Sequence, residues 1–263
     1  MSYRRILAMV IRHLYVWPRN LDRLMGSFGW PILEITIWGI TMSYFQKNLS
    51  NSLSIVTVIL GSVIMWQILA RTQTEISIVF LDEVWNKNLI NIFSSPLTKA
   101  EFLVSIIVLN TIKIIFTILS LMIVGFFYYK FDLISSFGLY LPFLLLNLLL
   151  MGWSVGFFVI AVILGFGYRV QELAWAIFLV TQPFSCVFYP ISVLPSWAKS
   201  IALLLPSSYL FEEMRNILSK NPINMDNLYI SFSLNMIYLS LSIWFFSAMF
   251  EKAREHGRLV KLN

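Results

Sequence analysis

The residues of this chain that could do covalent or metal chemistry are few and poorly spaced for it. Its two histidines, His13 and His256, stand near opposite ends, where a solvated surface is the expected setting for each. The single cysteine, Cys186, has no second cysteine for an intrachain disulfide or a cysteine-built metal site. No GxxxxGK[ST] loop is present to cradle a nucleotide phosphate, and neither HExxH nor GxSxG occurs. The chain therefore reads as non-enzymatic, with no catalytic, metal or cofactor-binding residues of its own.

Two other segments carry patterns suited to docking and gating. Within residues 75–101, Asp82, Glu83 and Lys87 alternate with Val84, Trp85, Leu89, Ile90 and Phe93, which predicts a short amphipathic helix ended by Pro96. Such a helix either lies on a bilayer or docks, with its two faces against different partners. Residues 188–227 are punctuated by Pro190, Pro195 and Pro206. Ser196 is placed to cap a short helix ending near Leu205, and Ser207 or Ser208 to cap another reaching about Leu218. Tyr189, Trp197, Tyr209 and Phe211 suit an aqueous–apolar boundary, and Glu212, Glu213 and Arg215 are expected at its mouth.

The elements that must position these segments follow from composition. Hydrophobic residues are 59% of the chain and charged residues 12%, with a mean hydropathy of +0.79, too little polar surface to coat a soluble core of this size. Apolar stretches over residues 24–45, 53–70, 106–129, 139–164, 170–188 and 228–250 each supply the roughly 17–25 residues that a ~30 Å hydrocarbon core demands. The expected fold is thus an all-α membrane protein, one domain over residues 1–263, with six transmembrane helices. Residues 193–205 are apolar but too short to cross, so a re-entrant hairpin is expected between spans five and six. Residues 1–20 read as an amphipathic interfacial helix rather than a signal peptide: Tyr3, Ile6, Leu7, Val10, Leu14 and Trp17 recur at helical spacing, while Arg4, Arg5, Arg12 and His13 fall elsewhere.

Orientation follows from the 19 Lys and Arg residues. With both termini inside, the inner segments hold Arg4, Arg5, Arg12, Arg19, Arg23, Arg71, Lys87, Lys99, Arg169, Lys252, Arg254, Arg258 and Lys261. The outer segments hold only Lys47, Lys130, Lys199, Arg215 and Lys220, a positive-inside bias that places both termini in the cytoplasm. The net charge of +6 is spread between apolar stretches, so its partners are lipid phosphates rather than nucleic acid.

A few residues fall inside spans. A charge at the bilayer centre costs ~2.5–3.5 kcal/mol on insertion scales, so Glu34 is not expected to face lipid in charged form. It lines a transport path, pairs across a dimer, or sits neutral near the inner interface. Lys113, near the inner end of its span, is expected to snorkel. Gly152 and Gly156 form a GxxxG suited to close helix packing or, less readily, a dimer seam. Polar groups converging at bilayer depth otherwise look scarce.

From Glu83 to Phe102 the chain reads E-x-W-x-x-x-L-I-N-I-F-x-S-P-L-T-x-x-E-F, followed by F-Y-P-I-S-x-L-P-x-W from Phe188 and L-P-S-S-Y-x-F-E-x-M-R from Leu205. In this order the three motifs resemble the ABC-2 family of exporter permeases, over essentially the whole chain. The resemblance implies an exporter half that moves an amphipathic, lipid-linked or hydrophobic molecule, a polysaccharide, glycolipid or drug. It implies a second permease protomer, in a homodimer or a heterodimer, and two copies of a separate ATP-binding subunit that carries the ATP and Mg. Asp82, Glu83, Trp85, Asn88, Leu89, Phe93 and Pro96 would belong to the coupling helix, with Arg169 a second contact. Tyr189, Pro190, Pro195, Trp197, Pro206, Tyr209, Glu213 and Arg215 would form the outer gate, and Glu34 a point on the path. Where the family often has Gly-Thr after the acidic residue, this chain has Trp85-Asn86-Lys87-Asn88, a docking surface suited to a particular ATPase. The competing expectation is an ion channel or secondary transporter that works without an ATPase.

Overall fold

The computed structural model describes residues 1–48 and 53–257, with side chains for 1–45 and 57–257. Lys47, Arg258 and Lys261 of the charge count lie outside the described side chains. Every element in the described chain is a helix. The N-terminal segment forms α1 (Tyr3–Val16), and Asn20 caps the single turn α2 (Leu21–Leu24) by accepting from the Asp22 and Arg23 amides. A π-helical stretch, Met25–Gly29, then leads into α3 (Trp30–Asn48). Next come α4 (Leu53–Trp85), the short α5 (Leu89–Ser94) and α6 (Lys99–Tyr129). A turn, α7 (Leu133–Phe137), precedes α8 (Leu141–Phe166). The chain closes with α9 (Leu173–Thr181), α10 (Ser196–Ala202), α11 (Pro206–Leu218) and α12 (Met225–Glu255).

Among the described residues three helical segments are long and apolar enough to cross a membrane: Lys99–Tyr129, Leu133–Phe166 and Met225–Glu255. The 31 residues of α6 and of α12 each extend about 46 Å, well beyond a ~30 Å hydrocarbon core. At the centre α8 packs along α12 on one side and α4 on the other. Gly152 and Gly156 permit the second contact: a Cβ at Gly152 would sit 2.4 Å from Thr72 Cγ2, and one at Gly156 2.7 Å from Ile76 Cγ2. The GxxxG seam is thus filled from within the chain, the close-packing reading of that motif.

Three expectations about the helices are corrected. The second apolar stretch does not give way to a loop at residue 70; α4 runs unbroken to Trp85, 33 residues and about 50 Å. Ile76, Val79, Phe80 and Val84 continue its apolar face, and nothing breaks the helix before Lys87, whose φ of 54° turns the chain. Arg71, counted with the inner segments between spans, therefore lies within a helix. The short helix expected over Asp82–Phe93 is in fact α5 alone, and Asp82 and Glu83 belong to the end of α4. The fifth apolar stretch, 170–188, is α-helical only over the nine residues of α9, about 14 Å. Pro183 sits in a 3-10 turn that ends it, and Cys186 at φ 55° reverses the chain.

Candidate functional site

The end of the molecule that carries α1 is built on ionic anchors. Glu83 is buried and binds three groups: Arg12 at 2.9 Å, His13 at 3.0 Å and the Asn88 amide at 2.7 Å. Asp82 pairs with Arg23 at 2.8 Å. Glu101 caps its own helix in a box with Thr98 and also accepts from the Ser2 amide and from Arg5, at 2.6 and 2.5 Å. The N-terminal helix is thereby held on α4 and α6 by two carboxylates, Glu83 and Glu101, while Asp82 holds the following turn, α2, on α4. Its protein-facing side is Met9, Val10 and His13, while Tyr3, Leu7, Ile11 and Tyr15 are exposed. The helix is amphipathic as expected, but Tyr3 and Leu7 turn outward and His13 is buried rather than solvated. Sequence spacing alone could not tell a lipid-facing apolar stripe from a protein-facing one.

These anchors sort the expected coupling residues into two groups. Asp82, Glu83 and Leu89 are buried, and Phe93 packs edge-on against Phe102 and Phe250. They hold the surface in place and do not form it. Trp85, Pro96 and Arg169 are exposed, with Asn88 half-buried. The surface itself adds Lys87, Ile90 and Asn91, which are not among the coupling residues that the resemblance implies. Trp85 stacks on Trp175 at 6.4 Å and donates to Gln171 Oε1 at 3.1 Å, which ties the end of α4 to the turn carrying Arg169. Between α1 and α5 lies a groove of about 550 Å³ lined by Arg5, Arg12, Asn88, Asn91 and Pro96. Glu83→Ala leaves His13 buried without its carboxylate, at a cost of about 1–3 kcal/mol. Amide hydrogen exchange in residues 3–16 is expected to rise in that variant while α12 keeps its protection.

Deeper along α4, the expected scarcity of polar groups is overturned. Gln67, Arg71 and Glu75 recur every four residues on one face of the helix. Glu75 accepts from Lys113 at 2.7 Å and from Ser27 at 3.0 Å, and Ser27 accepts from the Trp17 indole at 3.0 Å. Lys113 does not snorkel: it is 2% exposed and paired. Arg71 donates to the Gly26 carbonyl at 3.2 Å, and Glu34 accepts from the Gln67 amide. Amides clip the remaining helices together. Asn110 joins Trp153 to the Thr72 carbonyl, Gln73 reaches the Ala174 carbonyl, and Asn235 binds Asn147.

At the far end the chain from Phe184 to Leu218 forms two short helices, α10 and α11, the second beginning at Pro206, as the prolines predict. The capping roles differ. Pro195 rather than Ser196 precedes α10, Ser207 bonds Ser185 at 2.9 Å, and Ser208 donates to the Ala202 carbonyl at 2.6 Å. Glu213 does not face a mouth. It is fully buried and accepts from Asn216, the Asn224 amide and Asn227, fastening α11 to the start of α12. Arg215 donates to the Cys186 carbonyl at 2.5 Å and pairs with Glu212, which holds the reversal after α9. Tyr189 and Tyr209 donate to the Pro183 and Leu203 carbonyls, while Trp197 is exposed and meets Phe184 edge-on. Pro190 opens the Ile191–Val193 turn. Beneath Pro206, an apolar cavity of about 390 Å³ opens between α8, α9 and α12, lined by Met151, Phe158, Ile177 and Phe245.

Long apolar helices, ion-anchored at one end and carrying two short proline-bounded helices at the other, are those of a helical membrane protein. The model of the ABC-2 type transporter family matches residues 6–219, and the chain belongs to that family. It is thus an ABC-type permease, the membrane component of such a transporter. Permeases of this family generally pair with an ABC ATP-binding subunit. No curated protein matches the chain.

Proposed function

We propose that the chain is half of an ATP-driven exporter that moves an amphipathic, lipid-linked or hydrophobic molecule from the cytoplasm or inner leaflet outward. It crosses the plasma membrane six times with both termini in the cytoplasm, α9 together with the 3-10 turns on either side of it (residues 168–184) making the fifth crossing. It pairs with a second permease protomer as a homodimer, and takes two ATP-binding subunits that hold the ATP and Mg. The observation that carries this reading is the exposed surface of Trp85, Lys87, Ile90, Asn91, Pro96 and Arg169, set beside the ends of α4 and α6, where Glu83, Asp82 and Glu101 pair with Arg12, Arg23 and Arg5 of the N-terminal segment. A push on that surface is delivered straight into two long helices. The hairpin around Pro195 and Pro206 is the outer gate, and the apolar cavity beneath it suits a hydrophobic cargo.

The buried ion pair of Glu75 and Lys113 between α4 and α6 favours one competing reading, an ion channel or secondary transporter without an ATPase. Purification of the full chain from its native host separates the two. An ATP-binding subunit is expected to co-purify, and Ile90→Asp with Asn91→Lys to release it while leaving the melting temperature unchanged. Recovery of the chain alone, with transport surviving the two substitutions, rejects the exporter reading. Phe93 is a poor choice for this test because it packs in the core.

A further inference from the structure

The two charged nodes on α4 are built differently. At Glu75 each acceptor is matched: Lys113 and Ser27 both donate to it, and all three side chains are buried. One turn away, the node of Gln67, Arg71 and Glu34 is open. Arg71 makes one hydrogen bond among the described residues, to the Gly26 carbonyl, and its Nε is buried without a partner. Gln67 is 1% exposed, and its Oε1 has no partner either. Glu34 stands near enough to Arg71 to act on it electrostatically, yet its carboxylate takes the Gln67 amide and makes no ion pair with the guanidinium. The charge of Arg71 is offset at longer range by Glu75 and Glu34, but its donors are not matched. A guanidinium is a rigid fork of donors suited to a phosphate or carboxylate, and leaving donors unmatched among apolar helices is costly.

The node is also reachable. Arg71 and Glu34 are both partly exposed, although Gln67 between them is not. Glu34 lies beside an outward row on α3 at spacings of three and four residues: Trp30 at 60% exposure, Leu33 at 47%, Ile37 at 63% and Ile40 at 63%. A cationic fork thus adjoins an uncovered apolar strip, a head site next to a tail site.

We propose that this seam between α3 and α4 binds a single-chain amphipath with an anionic, phosphate-type head, Arg71 taking the head and the α3 row the hydrocarbon chain. Gln67 positions Glu34 to one side, and Glu34 limits affinity by charge repulsion. The proposal deepens the exporter reading by naming the charge class of the cargo, and it rests on that reading only for the transport step.

Binding is tested on the full chain in nanodiscs, without ATP or a partner subunit, by titration with dodecyl phosphate, dodecyl glucoside and inorganic phosphate. Dodecyl phosphate is expected to bind about tenfold more tightly than the glucoside, the ratio one charge-assisted contact supplies. Arg71→Gln is expected to erase that preference, Arg71→Lys to keep part of it, and Glu34→Gln to strengthen phosphate-head binding. Equal affinity for the two heads, or a preference that survives Arg71→Gln, overturns the proposal. If Arg71→Gln does not fold, Glu34→Gln decides, because weaker phosphate-head binding in that variant also overturns it. Inorganic phosphate competing as well as the amphipath removes the tail site and overturns it too. None of these results depends on whether an ATP-binding subunit co-purifies, so the two readings fail separately.

Discussion

Lys113→Met alone is expected to destabilise the folded chain by about 3–5 kcal/mol, toward the lower end of that range. The loss is not that of the lysine contact itself. It comes from Glu75, which is left buried without its cation and with the Ser27 hydroxyl still donating to it. Arg71 softens the penalty because it also acts on Glu75 electrostatically. Adding Glu75→Gln to Lys113→Met is expected to recover most of the loss, since the glutamine still accepts from Ser27 and no longer carries the charge that Lys113 matched, while Arg71 keeps Glu34. Thermal unfolding of the full chain in nanodiscs, followed by tryptophan fluorescence, reads both variants. A single-variant cost under about 1 kcal/mol, with no recovery in the double, is the outcome for a solvated, snorkelled lysine and rejects the buried pair.

That pair also shows where sequence reading stops. Apolar stretches, the amphipathic N-terminal helix and the proline-punctuated hairpin are properties of contiguous residues, and each is present in the structure as a helix or a break. Arg71 and Glu75 look like the exit from a span because their neighbours in sequence offer them no partner. Their partners are Gly26, Ser27 and Lys113, on other helices, so the polarity that suggested a loop is neutralised inside the bundle. The same holds for Glu83, whose acidic character suggested a docking face until Arg12 and His13 were placed against it. Hydropathy failed in the opposite direction at residues 182–188. It counts apolar side chains but is blind to the Pro183 turn and the left-handed backbone at Cys186 that cut α9 short. At the site, the resemblance pointed to Trp85 and Pro96, whereas the pattern placed Ile90 among the apolar residues of the amphipathic helix, and it and Asn91 stand out as surface only because α5 buries Leu89 and Ile92 instead.

Gly152→Ala is expected to cost about 1–3 kcal/mol, the usual range for forcing extra volume into a packed core. The new methyl would stand 2.4 Å from Thr72 Cγ2 and 2.6 Å from Thr72 Cβ, and Thr72 is held in place by donating to the Ile68 carbonyl at 2.7 Å. The obstacle is therefore at the root of a short side chain that cannot swing aside. Gly156→Ala meets Ile76 Cγ2 and Cβ at 2.7 and 2.8 Å, one turn along the same contact. The two together are expected to cost less than the sum, because the first substitution already pushes α4 from α8 and makes room for the second. Thr72→Ala should relieve little of the Gly152→Ala penalty, since it keeps Cβ, while Thr72→Gly should relieve more, less about 1 kcal/mol for a glycine inside a helix. Melting temperature and oligomeric state, measured side by side, separate this account from a seam between protomers. Packing within the chain predicts a lower melting temperature with the assembly of the surviving folded fraction unchanged. Dissociation of protomers at an unchanged protomer stability is the result a dimer seam would give, and it contradicts the fit of Gly152 and Gly156 against α4.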